Sequence, residues 1–171
     1  MNNMRIAMLI ILLGLTSCWP KSVSFIDKGS MPDEWKVFTV KTPENNAPNA
    51  PLSYAPVLSE AVKDGIQNNT RLNLGSDTKD AQLEIEGKIN SYSVSPVAIQ
   101  NGDQAAKNRL TVSVTFTIYV KEPEEDEMIV TSTRFADYDS NLDLGAEEDQ
   151  LLEEINQQIV QDVINKLLSN W

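Results

Sequence analysis

The 171-residue chain contains no histidine and a single cysteine, Cys18. The missing histidine excludes catalytic triads that use an imidazole base and metal sites that use imidazole ligands. A lone cysteine excludes a disulfide within one chain, so the stability must come from a packed core. A chain of this length can bury such a core as one domain.

Basic residues are also scarce, with 14 Lys and Arg against 25 Asp and Glu and a formal net charge of −11. A field of this sign repels phosphates, which argues against nonspecific binding to nucleic acid. Glycine-rich phosphate loops and clusters of a nucleophile with a base are missing as well, which argues against an enzyme. The sequence gives no reason to expect a cofactor.

Long apolar runs are limited to one short stretch, Ile6–Leu15, which follows Arg5. Ten positions are too few to cross a bilayer as a helix, so the stretch is typical of a cleaved signal peptide. It ends in Leu15–Cys18, in which a large aliphatic residue and two small residues precede the cysteine. This pattern predicts a bacterial lipoprotein; an ordinary signal peptide with an incidental cysteine is the alternative.

The lipoprotein interpretation divides the N-terminal part into a signal peptide, 1–17, and a lipidated tether, 18–32. Cys18 would carry diacylglycerol through a thioether, and several acyl chains hold a protein firmly to a membrane. Cleavage removes Arg5 and leaves 13 basic residues against 25 acidic ones, a balance of −12. Trp19 follows the cysteine instead of the aspartate linked to inner-membrane retention, which favours the outer membrane.

The most regular pattern in the chain is the alternation over Arg109–Val120. Its apolar residues are Leu110, Val112, Val114, Phe116, Ile118 and Val120. The residues between them are polar or carry a polar tip. Successive side chains of a strand point to opposite faces, so the pattern predicts a strand with one buried and one polar face. Helices should cover the buried face alone.

The remaining patterns predict five further elements. The strand over Arg109–Val120 is called the organising strand. The others, in chain order, are a strand over Trp35–Val40, a helix over Tyr54–Ile66 capped by Ser53, a strand over Leu83–Asn90, a strand over Met128–Phe135 after the organising strand, and a helix over Leu151–Leu168. A polar loop is expected over Ser95–Lys107, and turn residues fill Thr42–Pro51. The inward parity of Met128–Phe135 cannot be decided from the sequence.

These elements predict an α+β fold over 33–171, with the order β-α-β-β-β-α. The helix between the first two strands suggests a right-handed parallel crossover, whereas the next two connections suit antiparallel neighbours. We therefore expect one four-stranded mixed sheet with two helices packed on one face.

Several short motifs resemble the LptE family of lipopolysaccharide-assembly lipoproteins, in its Bacteroidota-type branch. They are Asn45–Pro48, Glu86-Gly87 with Tyr92-Ser93, Asn108–Val112, Arg134–Asn141 and the closing Asn170-Trp171. The run Arg134–Asn141 is the most specific, and the match covers nearly the whole mature chain. One departure is Val23–Phe25, where the family often has Tyr-Ser-Phe followed soon by glycine.

The resemblance implies an LptE-like fold and an outer-membrane lipoprotein that sits inside an LptD-like barrel. Such a protein helps lipopolysaccharide reach the cell surface, either facing the periplasm or within the barrel lumen. The alternative functions are a pilot lipoprotein for another outer-membrane pore and a periplasm-facing lipid carrier. The resemblance supplies no catalytic residues.

The predicted topology suggests a binding site for anionic lipopolysaccharide. If the first two strands are parallel, Lys41, Lys107, Arg109 and Arg134 should gather at one end of the sheet. An acidic protein needs such a local cationic patch to hold an anionic ligand. The alternative is that these four residues are ordinary solvated charges at the ends of strands.

Two further hypotheses concern polar residues. Ser113, Thr115 and Thr117 share the polar parity of the organising strand, so they should form a row that is either solvated or set against a polar barrel wall. Asp137–Asp143, with Glu148 at the twelfth position, resembles a calcium loop. Leu142 replaces the required glycine, however, so we expect a polar loop and no metal there.

The lipoprotein interpretation predicts that Cys18→Ser blocks lipidation. The variant should remain unprocessed or leave the membrane fraction, because no thiol is available for the diacylglycerol. Membrane fractionation and mass spectrometry measure both effects. An unmodified Cys18 thiol in the mature wild-type protein would contradict the interpretation.

Overall fold

The computed structural model describes residues 31–97 and 107–169, so the predicted signal peptide, Cys18 and Trp171 lie outside the described residues. The elements are β1 Val37–Val40, β2 Glu44–Asn45, α1 Tyr54–Asn69, β3 Asn73–Leu74, β4 Leu83–Val97, β5 Lys107–Val120, β6 Asp126–Asp139 and α2 Leu144–Ser169. Within these ranges, no helix is both long enough and apolar enough to cross a membrane.

The strands form one mixed sheet in the order β3-β1-β4-β5-β6, with β2 also paired to β4. The expected parallel pairing of β1 with β4 is confirmed, as is the antiparallel pairing of β4 with β5 and of β5 with β6. The α+β class is therefore confirmed, but the sheet of the described residues has six strands and not four. The two additional strands, β2 and β3, have two residues each, which is too short for any periodic signal.

The organising strand is β5, and its alternation is confirmed. All six apolar residues of the predicted parity are buried. They face the layer formed by α1 and α2, and we call this side of the sheet the inner face. The opposite side is the outer face, which carries Thr111, Ser113, Thr115, Thr117 and Tyr119 from β5.

β4 is longer than the sequence indicates. It continues to Val97, and β5 begins at Lys107, so both ends of the predicted loop Ser95–Lys107 are strand. The sequence hides the continuation because the pairing with β5 shifts between Ile89 and Ser91. The extra residue of this bulge breaks the alternation, so that Ile89 and then Tyr92 face inward.

The side chains of β6 that are buried on the inner face are those of Met128, Ser132, Ala136 and Tyr138. Ser132 is a polar residue in this buried row because its hydroxyl donates a hydrogen bond to the Asp162 carboxylate of α2. A strand that buries a hydroxyl against a helix has no clean apolar alternation, which is why the parity could not be decided from sequence.

The two helices pack side by side over the inner face. The Tyr54 hydroxyl donates to Asn156 Oδ1 over 2.9 Å between them. Further along, a Cβ atom at Gly65 would lie 2.1 Å from Val160 Cγ1, so a larger residue there would force Val160 or the helix to move. Ser53 occupies the N-cap position of α1 as expected, but its side chain makes no capping hydrogen bond.

The two faces of β5 predict opposite responses to truncation. Val114→Ala should lower the free energy of unfolding by on the order of 1–3 kcal/mol, because it leaves a cavity under the helices. Thr115→Ala should cost clearly less, because its hydroxyl lies on the outer face, where water can replace a lost partner. Thermal melts of both soluble variants check this, and equal losses would mean that the outer face is also buried.

Candidate functional site

The candidate site is the outer face, which neither helix covers. Ser113, Thr115 and Thr117 lie in a row along β5 and are each partly exposed. Their neighbours on β6 are Thr133, Thr131 and Ile129, in that order. The row therefore stands in the middle of a broad surface made by three long strands.

Hydroxyl and amide groups connect the strands across this surface. The Asn90 side-chain amide donates to Thr115 Oγ1 over 2.8 Å, and Thr115 Oγ1 lies 3.0 Å from Thr131 Oγ1. Two residues further along the same pair of strands, Thr133 Oγ1 donates to Ser113 Oγ over 3.0 Å. Such cross-strand pairs link short side chains, so the centre of the face is polar and its side chains are hydrogen-bonded to one another.

Apolar side chains also stand on the outer face, and sequence reasoning missed them. Ile129 and Phe135 of β6 are 57% and 46% exposed. They could not be assigned to a face while the parity of β6 was undecided. The Arg109 guanidinium lies 3.6 Å from the centre of the Phe135 ring, a cation–π contact that partly covers it.

The predicted gathering of four cations at one end of the sheet is wrong. β1 ends beside Ile85 of β4, where the Lys41 amide donates to the Ile85 carbonyl. Arg109 pairs instead with Ser95, ten residues further along β4. At about 3.3 Å per residue, roughly 33 Å separate the two positions. The prediction failed because it assumed strands of equal length, whereas β1 has four residues and β4 has fifteen.

Arg134 is separated from the other cations by the sheet itself. Its side chain is on the inner face of β6, where the guanidinium forms a bidentate salt bridge with the Asp162 carboxylate. Burial raises the pKa of Asp162, but the hydrogen bonds from Arg134 and Ser132 outweigh it, so the pKa lies below its ordinary value. This pair joins α2 to β6 and is not part of the outer face.

Lys107 and Arg109 do share the outer face at the far end of the sheet. Arg109 Nε and Nη2 donate to the two oxygens of Asp137 over 2.6 and 2.8 Å. The hydrogen bond from Arg109 is the largest cause of the lowered pKa of Asp137. Lys107 is exposed and pairs in register with Asp139, so each cation stands opposite a carboxylate.

Lys41, at the other end, is neutralised in the same way. Its ammonium lies 2.6 Å from a carboxylate oxygen of Glu84 and 2.6 Å from one of Glu86. These two hydrogen bonds raise the pKa of Lys41. The outer face therefore carries matched charges although the chain as a whole is strongly acidic.

The residues of the possible calcium loop do not converge on one point. Asp137 binds Arg109 on the outer face, Asp139 accepts two hydrogen bonds from Asn141, and Glu148 accepts one from Tyr92. Within the described ranges, no group of three or more acidic or sulfur-bearing side chains is placed to hold a metal ion. Asp137–Asp139 is the end of β6, Glu148 lies in α2, and residues 140–143 connect the two elements.

Three solved bacterial structures share this architecture, and two of them are lipoproteins. A minor lipoprotein from Acinetobacter baumannii has a TM-score of 0.51 at 15% identity, covering 80% of this chain and 94% of that one. The uncharacterized lipoprotein B from Nitrosomonas europaea has a TM-score of 0.51 at 13% identity, covering 89% and 91%. A hypothetical protein from Chlamydia trachomatis has a TM-score of 0.54 at 11% identity, covering 80% and 99%. At these identities the likeness shows the fold alone.

The family follows from the sequence match. The family model LptE, described as lipopolysaccharide-assembly, matches residues 35–167. This range takes in every described strand, α1 and all of α2 except its last two residues. The chain belongs to the LptE family of lipopolysaccharide-assembly lipoproteins. Members of this family are outer-membrane-associated and non-enzymatic. No curated protein matches the chain.

Proposed function

We propose that this protein is anchored to the outer membrane through Cys18 and occupies the lumen of an LptD-like barrel, with its outer face against the barrel wall. Its role there is to support barrel assembly and the passage of lipopolysaccharide to the cell surface. The observation that carries the proposal is the uncovered outer face, whose centre is ordered by Asn90, Thr115 and Thr131.

The chemistry of this face suits a barrel interior. The interior of a large barrel is polar and water-filled, so a surface placed against it must exchange hydrogen bonds with water for hydrogen bonds with the wall. Short hydroxyl side chains do this at low entropic cost. The paired charges of Lys41 and Arg109 avoid the larger cost of burying an unmatched ion.

The packing between the inner face and the helices argues against the alternative function of a lipid carrier. A carrier needs an internal apolar cavity, whereas the space between sheet and helices is filled by fully buried side chains. These include Phe38, Leu58, Ile85, Phe116, Ile118 and Ile155. The alternative function is that of a pilot lipoprotein for a different pore. The barrel that the protein binds distinguishes this function from the proposed one.

The interface is tested by placing charges in the hydroxyl row. Thr115→Arg and Thr117→Glu should leave the fold stable but weaken recovery of an LptD-like barrel, because each forces an unpaired charge against the wall. Gln67→Arg, on the exposed side of α1, adds the same side chain to the helix layer and should bind normally. Pull-down in mild detergent measures binding, and thermal melts measure folding.

Three outcomes of this experiment are distinct. Loss of the barrel with both outer-face variants and not with Gln67→Arg supports the proposed interface. Normal recovery with Thr115→Arg and Thr117→Glu moves the interface to another surface. Recovery of a different barrel by the wild-type protein replaces the translocon with the pilot function.

We further propose that Lys107 and Arg109 form the contact with lipopolysaccharide, because they are the two members of the expected cation set that share one face and one end. Lys107→Glu and Arg109→Glu should reduce binding of labelled lipopolysaccharide, with the larger loss at low salt because ions screen exposed charges. Lys41→Glu makes the same charge change roughly 33 Å away and should bind nearly as the wild type does.

A substitution of the carboxylate beside Arg109 should have the opposite effect on lipopolysaccharide binding. Asp137→Asn removes the partner that neutralises Arg109 and should raise lipopolysaccharide binding at low salt. Equal losses with Lys41→Glu and Lys107→Glu would show that only net charge matters. Unchanged binding with Lys107→Glu and Arg109→Glu would leave both residues as ordinary solvated charges.

A further inference from the structure

A groove of about 710 Å³ lies between the two helices on the side away from the sheet. Its described lining comes from α1, α2 and the residues just before α1. The apolar part of the lining is Val57, Ala61, Leu152, Val160 and Ile164. The molecule thus has an apolar depression on the face opposite the proposed barrel contact.

The groove is apolar along its length and acidic at one end. Val57 remains 53% exposed, so the described chain leaves part of the floor uncovered. Glu148, Asp149 and Glu153 line the end at which α1 begins, and the described lining contains no basic residue. An occupant that matches this surface is apolar in the middle and basic at one end.

The chain enters the described structure at the other end of the groove. Arg71, just after α1, donates hydrogen bonds to the carbonyl oxygens of Met31 and Pro32. Asn69, the last residue of α1, lines the same end of the groove. Met31, where the described part of the chain begins, therefore lies near this end of the groove.

The sequence before Met31 has the required pattern. Val23, Phe25 and Ile26 are apolar, and Lys21 and Lys28 stand on either side of them. The 12 residues over 19–30 reach about 40 Å when extended. The groove runs beside the 16 residues of α1, which rise about 24 Å. Lys21 can thus reach the acidic end while the apolar residues lie over the floor.

We propose that residues 19–30 dock in the groove, with their apolar side chains on its floor and Lys21 beside its acidic end. This arrangement brings Cys18 to the end of the molecule at which both helices begin. Leu52 and Leu142 stand at that end, 93% and 48% exposed, where an anchored lipid surface would meet them. Docking of the segment in the groove does not depend on binding to a barrel.

Disulfide trapping in the full mature lipoprotein, purified in mild detergent, tests the docking. Cysteine is introduced at Val23, Phe25 or Ile26 in turn, each combined with Ala61→Cys in the groove. The control combines the same three changes with Ser113→Cys on the outer face. Mild oxidation should give an intramolecular link with Ala61→Cys in at least one combination, and none with Ser113→Cys.

The other results of the trapping experiment overturn the proposal. Links of equal yield to both partner positions mean that the segment has no preferred place. The absence of any link to Ala61→Cys means that it does not lie in the groove. A covalent dimer through Ala61→Cys assigns the groove to a second copy of the chain.

Protease protection gives a measurement without added cysteines. Val57→Glu places a charge on the groove floor and should speed tryptic cleavage after Lys28 several-fold. Ile129→Glu is the matched control, because its position is 57% exposed on the outer face, against 53% for Val57. Equal cleavage rates in Val57→Glu and the wild type overturn the proposal, whatever the result of the barrel experiments.

Discussion

The burial of one face of β5 is the constraint on which the rest of the structure depends. Its six inward residues are apolar and buried, and each contributes roughly 1.5–3 kcal/mol relative to an exposed position. These residues need a cover on one side only, which the parallel crossover through α1 and the closing helix α2 provide. The outer face is mostly polar, although Tyr119, Ile129 and Phe135 are exposed on it, and no third layer covers it within the described residues. A two-layer protein with one open, hydroxyl-bearing sheet face is the consequence.

The open face is usable because its charges are matched locally. Arg109 of β5, Lys41 just after β1 and Lys121 just after β5 each lie against carboxylates at salt-bridge distance. Exposed pairs of this kind add only about 0–1 kcal/mol to stability. Their greater effect is on the field, since a mature chain with a balance of −12 would otherwise present negative charge on every side. Local neutrality lets the face approach a polar wall without a large cost of desolvation.

Sequence reasoning succeeded where one residue pattern decides the structure and failed where two segments must be compared. The alternation of β5 and the apolar stripes of the helices are local patterns, so they can be recognised without reference to other elements. Together they predicted the fold class. The cation cluster required the relative lengths of β1 and β4, which depend on where pairing stops and not on any local signal. The bulge after Ile89 hid the second half of β4. Arg134 was misplaced because its partner Asp162 lies 28 positions away in another element.

The same division into two faces separates the two tasks proposed for this lipoprotein. A tether lying in the helix groove leaves Thr115 and its neighbours free, because the sheet and its core stand between the two surfaces. The link from Arg134 and Ser132 to Asp162 holds α2 against β6, so the groove and the outer face keep a fixed relation. A protein that must be held at a membrane while it occupies a barrel needs this rigidity. A loose α2 would let the anchor and the barrel contact move independently, and the position of the anchor would then no longer determine the orientation of the outer face.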